Sequence, residues 1–383
     1  MAKVIVEDTN LKRVADAIRS KNGETEEYKL AEFSEKIEEM NIAVPVTKGL
    51  IIKEFDADGY PTDVEVVGMT ALPEYYLSAN STGKGLFKML KNISLSDGLI
   101  TVGQYAFNAL TVLESLDLPD SVTSIDSYAF NNCKSLLSIN LPNNLTSIPS
   151  TCFSSCANLV LTKLPDAIKT IGSYAFNGCT SLALTELPEG VISIGERAFY
   201  NCPGMTLSEL PSTMTQIWNY GFYMCSGMTL TDLPESLTYI GEYAFQHCTG
   251  LALTTLPSKL QTIKQRAFRY CSGIVDLTIL SDVLTALPND TFDQAVNLER
   301  IDIYSQQLTS IGNSCFYNAL KLNEVIIRRT TPPSITTSTF NATGISNGTG
   351  YIYVPDESVT AYQTATNWST YASQIKGISE LGA

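Results

Sequence analysis

Histidine is almost missing from this chain: His247 is the one imidazole in 383 residues. That removes the group used most often as acid and base near neutral pH, and with it any Ser-His-Asp constellation. His247 precedes Cys248, but adjacent residues rarely face each other, so the two do not read as an activated nucleophile; His247 is expected to be an exposed side chain of one repeat. There is no Gly-rich phosphate loop, no zinc spacing and no Gly-x-Ser-x-Gly elbow. No catalytic residue, metal ligand or cofactor is assigned, and the chain is not expected to be an enzyme. No stretch approaches the roughly 20 apolar residues of a membrane span, so no membrane insertion is expected. Glu7-Asp8 arrives before any apolar run of secretory length, so no leader is expected, and the C-terminal residues resemble no membrane or wall anchor, so none is expected there. Positive charge is scarce, with 25 Lys and Arg against 39 Asp and Glu, a net charge of −14. That balance argues against nucleic acid and anionic lipid as partners.

What is abundant is repetition. Phe107, Phe130, Phe153, Phe176, Phe199, Phe222, Phe245 and Phe268 recur every 23 residues, and Phe292, Phe316 and Phe340 follow at 24. Five residues before each marker lies an aliphatic side chain, from Val102 and Ile125 to Ile311 and Ile335. Six residues after comes Leu113, Leu136 or an equivalent, and twelve after comes the Pro of a Leu-Pro pair from Pro119 to Pro257. Segments such as Leu136–Leu141 and Leu298–Ile303 have strand periodicity, and Leu-Pro ends the strand because proline cannot donate to a ladder. The Tyr-Ala-Phe-x-x-Cys stretch suits one short helical turn. Such a unit cannot bury its apolar face alone, so stacked units share one core.

Cys133, Cys156, Cys179, Cys202, Cys225, Cys248 and Cys271 each follow a marker by three residues, where later units carry Ala295 and Ala319. Exchange of Cys for Ala marks a small buried group, so the ladder reads as structural, reduced and unbridged. One thiol per rung does not make a metal cluster.

The run Leu164-Pro165 through Ile171-Gly172-Ser173-Tyr174-Ala175-Phe176-Asn177-Gly178-Cys179 resembles the BspA-like leucine-rich repeat, over about residues 95–375. The resemblance implies a solenoid of 23–24-residue units, one parallel strand per rung, in a surface or adhesive protein. Residues Tyr351–Pro355 and Asn367–Tyr371 resemble the closing segment of such arrays, with Trp368 as anchor of a cap that covers the last rung.

Residues 1–40 break the period. Asp8-Thr9-Asn10 offers N-cap chemistry, Leu11, Val14, Ala15 and Ile18 follow a helical spacing, and Leu30, Phe33, Ile37 and Met40 make a second stripe, which predicts a helical hairpin. Val6–Leu11 and Ala15–Arg19, with Asp56–Pro61 behind them, resemble heads of tail-associated proteins of phages and prophages of gut Firmicutes. The resemblance implies docking to other tail or baseplate proteins, a homo-oligomer and a place in the virion. Asp56-x-Asp58-Gly59 reads as a solvated turn, since the further oxygen ligands of a calcium loop are absent.

The expected organisation is a helical hairpin at 1–40, a linker and cap with short strands at 41–94, about eleven repeats at 95–345 and a C-terminal cap at 346–383. The expected function is a non-enzymatic receptor-binding or adhesin component recognising a bacterial cell-surface glycan or protein; the alternatives are a passive spacer or a cell-surface adhesin. The candidate ligand site gathers Arg197, Tyr200, Trp218, Tyr220, Tyr223, Tyr243, Arg266, Arg269 and Tyr270, because aromatic rings and arginine are favoured at binding surfaces. Trp218 stands where Gly172, Gly195 and Gly241 stand in other units. The competing reading is that these rings only stack on one another and cover the core; the competing location is the strand face bearing Thr185, Glu186, Ser208 and Glu209. Removing Trp218, Tyr223 and Arg269 together is expected to leave the melting temperature nearly unchanged.

Overall fold

The computed structural model describes residues 4–7, 49–79 and 85–382. Most of the helical hairpin expected at residues 1–40 lies outside them; Val4–Glu7, ahead of its helices, is a strand paired antiparallel with Gly49–Phe55. The chain forms a parallel-strand solenoid of about 12 turns with few helices. It divides into two compact units, Met1–Leu161 and Thr162–Ala383.

In the first unit, Gly49–Phe55 and Pro61–Val67 form an antiparallel hairpin, and Asn92–Leu95 adds parallel to its second strand. At the hairpin's turn the Asp56 carboxylate accepts the N–H of Asp58 at 3.0 Å and of Tyr60 at 2.8 Å, as an Asx turn does. Coiling begins before the phenylalanine period. Ala71–Leu72 pairs parallel with Thr101–Val102, and Leu77 takes the marker's place, its N–H bonding to Ala106 O. Ser124–Ile125 continues that line. Ser115–Asp117 and Ser138–Asn140 form a second parallel line.

In the second unit, Thr170–Ile171, Ser193–Ile194, Gln216–Ile217, Tyr239–Ile240 and Thr262–Ile263 stack in register, Ile on Ile. A second line runs through Thr255–Leu256, Asp276–Ile279, Arg300–Ile303, Glu324–Ile327, Tyr351–Val354 and Ile375–Gly377. Earlier rungs of this unit have no strand there. Their buried apolar residues, such as Leu184 and Leu187 or Leu207 and Leu210, are three apart, whereas Leu277 and Ile279 or Ile301 and Ile303 of the four-residue strands are two apart.

The expected short helical turn resolves into overlapping reverse turns. Around Phe222, Gly221 N–H bonds to Trp218 O, Tyr223 N–H to Tyr220 O and Cys225 N–H to Phe222 O, at 3.0, 3.2 and 3.2 Å. Two non-glycine residues are left-handed in this stretch, Tyr220 (φ 57°) and Met224 (φ 60°), and the same two places recur in rung after rung. The geometry frees alternate N–H groups to point along the coil: Tyr220, Phe222 and Met224 each donate 2.8 Å bonds to the next rung's Glu242, Ala244 and Gln246 carbonyls. Left-handed backbone costs an L-residue roughly 1–2 kcal/mol. The forward bonds and the packing of the ring between them offset that cost.

Inside each coil the marker rings make a spine. In the second unit Phe199, Phe222 and Phe245 lie 5.5 and 5.6 Å apart, nearly parallel and fully buried. The thiols line it. In six rungs the Sγ donates to the preceding marker's carbonyl, as Cys225 does to Phe199 O at 3.0 Å and Cys248 to Phe222 O at 3.0 Å. The Phe222 carbonyl also takes the N–H of Cys225 from its own rung, so the Cys248 thiol supplies a second donor to a buried oxygen. All nine cysteines are buried and unbridged. At the C-terminus Trp368 is buried; its ring packs against Phe340 and Tyr362, and its Nε1–H donates to Pro333 O at 2.7 Å.

Candidate ligand-binding surface

Side chains two residues before each marker and one residue after it leave the turns on one face of the second unit, and stack at the rung spacing. The first column runs Tyr174, Arg197, Tyr220, Tyr243, Arg266, Asp290. Tyr220 and Tyr243 stack face to face at 4.5 Å. Arg197 donates to Tyr174 Oη at 2.7 Å, and its guanidinium carbon lies 5.4 Å from the Tyr174 ring and 4.7 Å from the Tyr220 ring. Arg266 lies over Tyr243, hydrogen-bonds its hydroxyl and pairs with Asp290 at 3.0 Å. The second column runs Asn177, Tyr200, Tyr223, Gln246, Arg269, Asp293; Tyr200 and Tyr223 stack at 4.6 Å.

Between the columns lies a slot of about 480 Å³ lined by Tyr174, Asn177, Arg197, Tyr200, Tyr220, Tyr223 and Tyr243. Five of the nine expected residues therefore meet in one place. Four do not. Trp218 is 43% exposed and tilts against Tyr239 at 5.3 Å, away from the lining. Arg266 and Arg269 are engaged by carboxylates. Tyr270 stacks on His247 at 4.3 Å. His247 itself is half-buried instead of exposed, because the next rung's tyrosine covers it.

Tyr174 and Asn177 were missed. They hold the same two places relative to Phe176 that Tyr220 and Tyr223 hold relative to Phe222, so the repeat register alone would have found them. The expectation for the triple replacement of Trp218, Tyr223 and Arg269 needs correction too. Arg269 Nε lies 2.5 Å from Asp293 Oδ2, and the Asp293 side chain is only 4% exposed. A buried carboxylate would lose its counter-charge, so the stability would not survive that replacement.

The electrostatics of the slot follow from its packing. Burial, then the Tyr243 ring, pushes the Tyr220 phenol above its usual range, against the pull of Arg197. Burial likewise raises Tyr223. Both hydroxyls thus remain protonated and available as donors at neutral pH. Arg197 has no carboxylate within ion-pair distance among the described residues, and its buried Nε has no hydrogen-bond partner. Arg266 and Arg269 both have one.

The competing strand face also carries a groove, of about 300 Å³, lined by Lys163, Asp166, Glu186, Glu189, Glu209 and the Leu-Pro pairs between them. Lys163 neutralises part of it, 3.1 Å from Asp166 and 3.2 Å from Glu186. Ser212 occupies Glu189 through its N–H and its hydroxyl. Lys163, Asp166, Glu186 and Glu189 of this groove are thus already partnered within the fold. Among the described residues no cluster of His, Cys, Asp and Glu could hold a metal ion.

Residues 83–203, 146–275 and 215–347 match the model of the BspA type leucine rich repeat region, together spanning more than half of the chain. No curated protein matches. Solved structures that resemble the chain include a leucine-rich repeat protein from Bacteroides ovatus, 17% identical, covering 88% of this chain and 99% of that one, TM-score 0.44. The pneumococcal vaccine antigen PcpA is 20% identical, with 85% of this chain and 80% of that one covered, TM-score 0.49. A leucine rich cell surface protein from Faecalibacterium prausnitzii is 20% identical, covering 88% and 100%, TM-score 0.40.

Proposed function

The chain belongs to the BspA-type leucine-rich repeat family, and from that premise we propose that it is a non-enzymatic binding protein whose phenolic slot recognises a glycan or protein of a bacterial cell surface. The observation that carries this reading is the slot itself. Tyrosines, a short asparagine and an arginine without a carboxylate partner open onto one cavity. The guanidinium is held by two rings and the Tyr174 hydroxyl but has no ion-pair partner among the described residues, which leaves its charge available to a ligand. Rigid phenols offer contact area and a hydroxyl at low entropic cost.

The finer part of the proposal concerns where the protein works. The resemblance of Val6–Leu11 and Ala15–Arg19 to tail-associated heads supports a phage tail component, with residues 1–40 joining it to other tail or baseplate proteins as a homo-oligomer. A cell-surface adhesin is the reading its family favours. Immunogold microscopy separates the two by labelling tail tips or the cell envelope.

The binding reading is tested with Tyr200→Ala combined with Tyr223→Ala. Both residues lie outside the left-handed positions, so the turns are kept. Labelled full-length protein is mixed with host cells and its melting temperature is measured in parallel. Loss of cell binding by a folded variant is expected. Undiminished binding would leave the slot without a function and move the site to the strand face bearing Thr185, Glu186, Ser208 and Glu209; absence of binding by the unaltered protein would favour a passive spacer.

A further inference from the structure

The slot is not uniform along its length. Tyr223 covers one face of the Tyr200 ring, at 4.6 Å and nearly parallel. Toward the preceding rung the column carries Asn177, whose side chain ends short of where a further ring would lie, and no described ring stacks on that face. The second column thus ends in an aromatic plane that looks into a notch. Tyr174 and Arg197 of the first column line the same cavity. Arg197 is held rigidly there, its guanidinium against two rings and one of its donors fixed on the Tyr174 hydroxyl. The acid beside it, exposed Glu196, attracts it from a distance without closing an ion pair.

Resting on the slot as the binding site, we propose that this notch takes an acidic sugar. The apolar face of one pyranose ring stacks on the open face of Tyr200. Its carboxylate reaches the Arg197 guanidinium, and its hydroxyls meet the Tyr174 and Tyr220 phenols. Three features select this chemistry. An uncovered tyrosine face suits a flat ring with axial hydrogens. A preorganised guanidinium prefers a planar carboxylate, which it binds in two-pronged geometry. Arg197, the one cation lining the slot, has no ion-pair partner among the described residues, so a sugar carboxylate can reach it without breaking an internal ion pair, and this local contact must outweigh the long-range repulsion of a chain of net charge −14.

Full-length protein is titrated calorimetrically with a uronic-acid oligosaccharide and with its carboxyl-reduced neutral counterpart. The uronate should bind at least about tenfold tighter, the difference expected from one charge-assisted hydrogen-bonded contact. Arg197→Asn, which tolerates the left-handed backbone at that position, should lower the uronate to the neutral level, and Tyr200→Ala should weaken both. Melting curves verify that each variant is folded. Equal affinity for the two sugars, or an undiminished uronate affinity in folded Arg197→Asn, overturns the proposal. So does poly(glycerol phosphate) binding as well as the uronate, since no sugar carboxylate is then required. If no sugar binds but Tyr200→Ala with Tyr223→Ala still abolishes attachment to cells, the ligand class falls and the slot stands. If attachment also survives that variant, both fall.

Discussion

Arg269→Ala is the perturbation whose outcome depends most directly on the packing described above. It deletes the partner of the Asp293 carboxylate, which lies 2.5 Å away and is almost wholly buried. The other carboxylate oxygen already lacks a hydrogen-bond partner, and the neutral Gln294 amide is the side-chain donor left beside the group, which cannot replace a counter-charge. Breaking a buried ion pair from one side costs about 3–5 kcal/mol. Arg269 is itself 29% exposed, so water can enter the space it vacates; screening lowers the expected loss to about 2 kcal/mol. Burial already holds the Asp293 carboxyl above its usual value, and losing Arg269 raises it further. Between the unfolded and the raised folded value the native state binds a proton that the unfolded chain does not. The deficit of the variant therefore shrinks as the solution is acidified. Urea unfolding followed by circular dichroism, at about pH 7 and about pH 5, measures both quantities. A cycle with Asp293→Asn isolates the pair from the lost contact of Arg269 with the Tyr270 ring, and a coupling of about 1.5 kcal/mol is expected. A deficit below about 0.5 kcal/mol, or one of equal size in the Asp293→Asn background, would falsify the argument.

Two further outcomes follow from burial. All nine thiols should react with a chromogenic disulfide in denaturant and almost none in the native protein, since Cys225 is pushed up to about 12 by burial and Cys202 and Cys248 also lie well above their usual value; rapid native labelling, or disulfides between neighbouring rungs in mass spectra, would contradict it. His247 is lowered from 6.5 by burial and then by Arg269. The unfolded chain thus binds the extra proton first, and stability should fall as pH drops from about 6.5 toward the folded value; this slope should vanish in His247→Asn, and its persistence there would assign it to another group.

The rung was legible because its signals were redundant. Phe222 with Ile217, Met228 and Cys225 states one set of inward positions, and the substitution of Ala295 and Ala319 for cysteine marks the thiol site as small and buried. Leu77 escaped because the turn it centres lacks the phenylalanine and stands 30 residues before Phe107. The left-handed turns were half hidden. At the place two residues after the marker, Asn132, Gly178, Asn201 and Asn318 carried the usual signal, whereas at the place two residues before it Tyr220 and Arg197 are residues that the backbone geometry penalises and that only the packing around the coil justifies. For the slot, Tyr220 and Tyr223 stood out as aromatic. Counting rings could not separate Trp218, which faces elsewhere, from Asn177, whose small size opens the notch.

The forward hydrogen bonds of the turns give each unit a polarity. Tyr220, Phe222 and Met224 hand their N–H groups to the rung that follows, whereas Thr215 and Trp218, at the strand of the same rung, hand theirs to Ile192 and Ile194 of the rung before. For the turn amides, opening should then travel backward. Once a rung detaches, the turn amides on its N-terminal side lose their acceptors and become the next to exchange with solvent, while on its C-terminal side the turn amides keep theirs and only the strand amides are released. In the second unit the Trp368 closure stands at the end from which such fraying would start, and its firmness sets how long the deuterium of successive rungs is kept out.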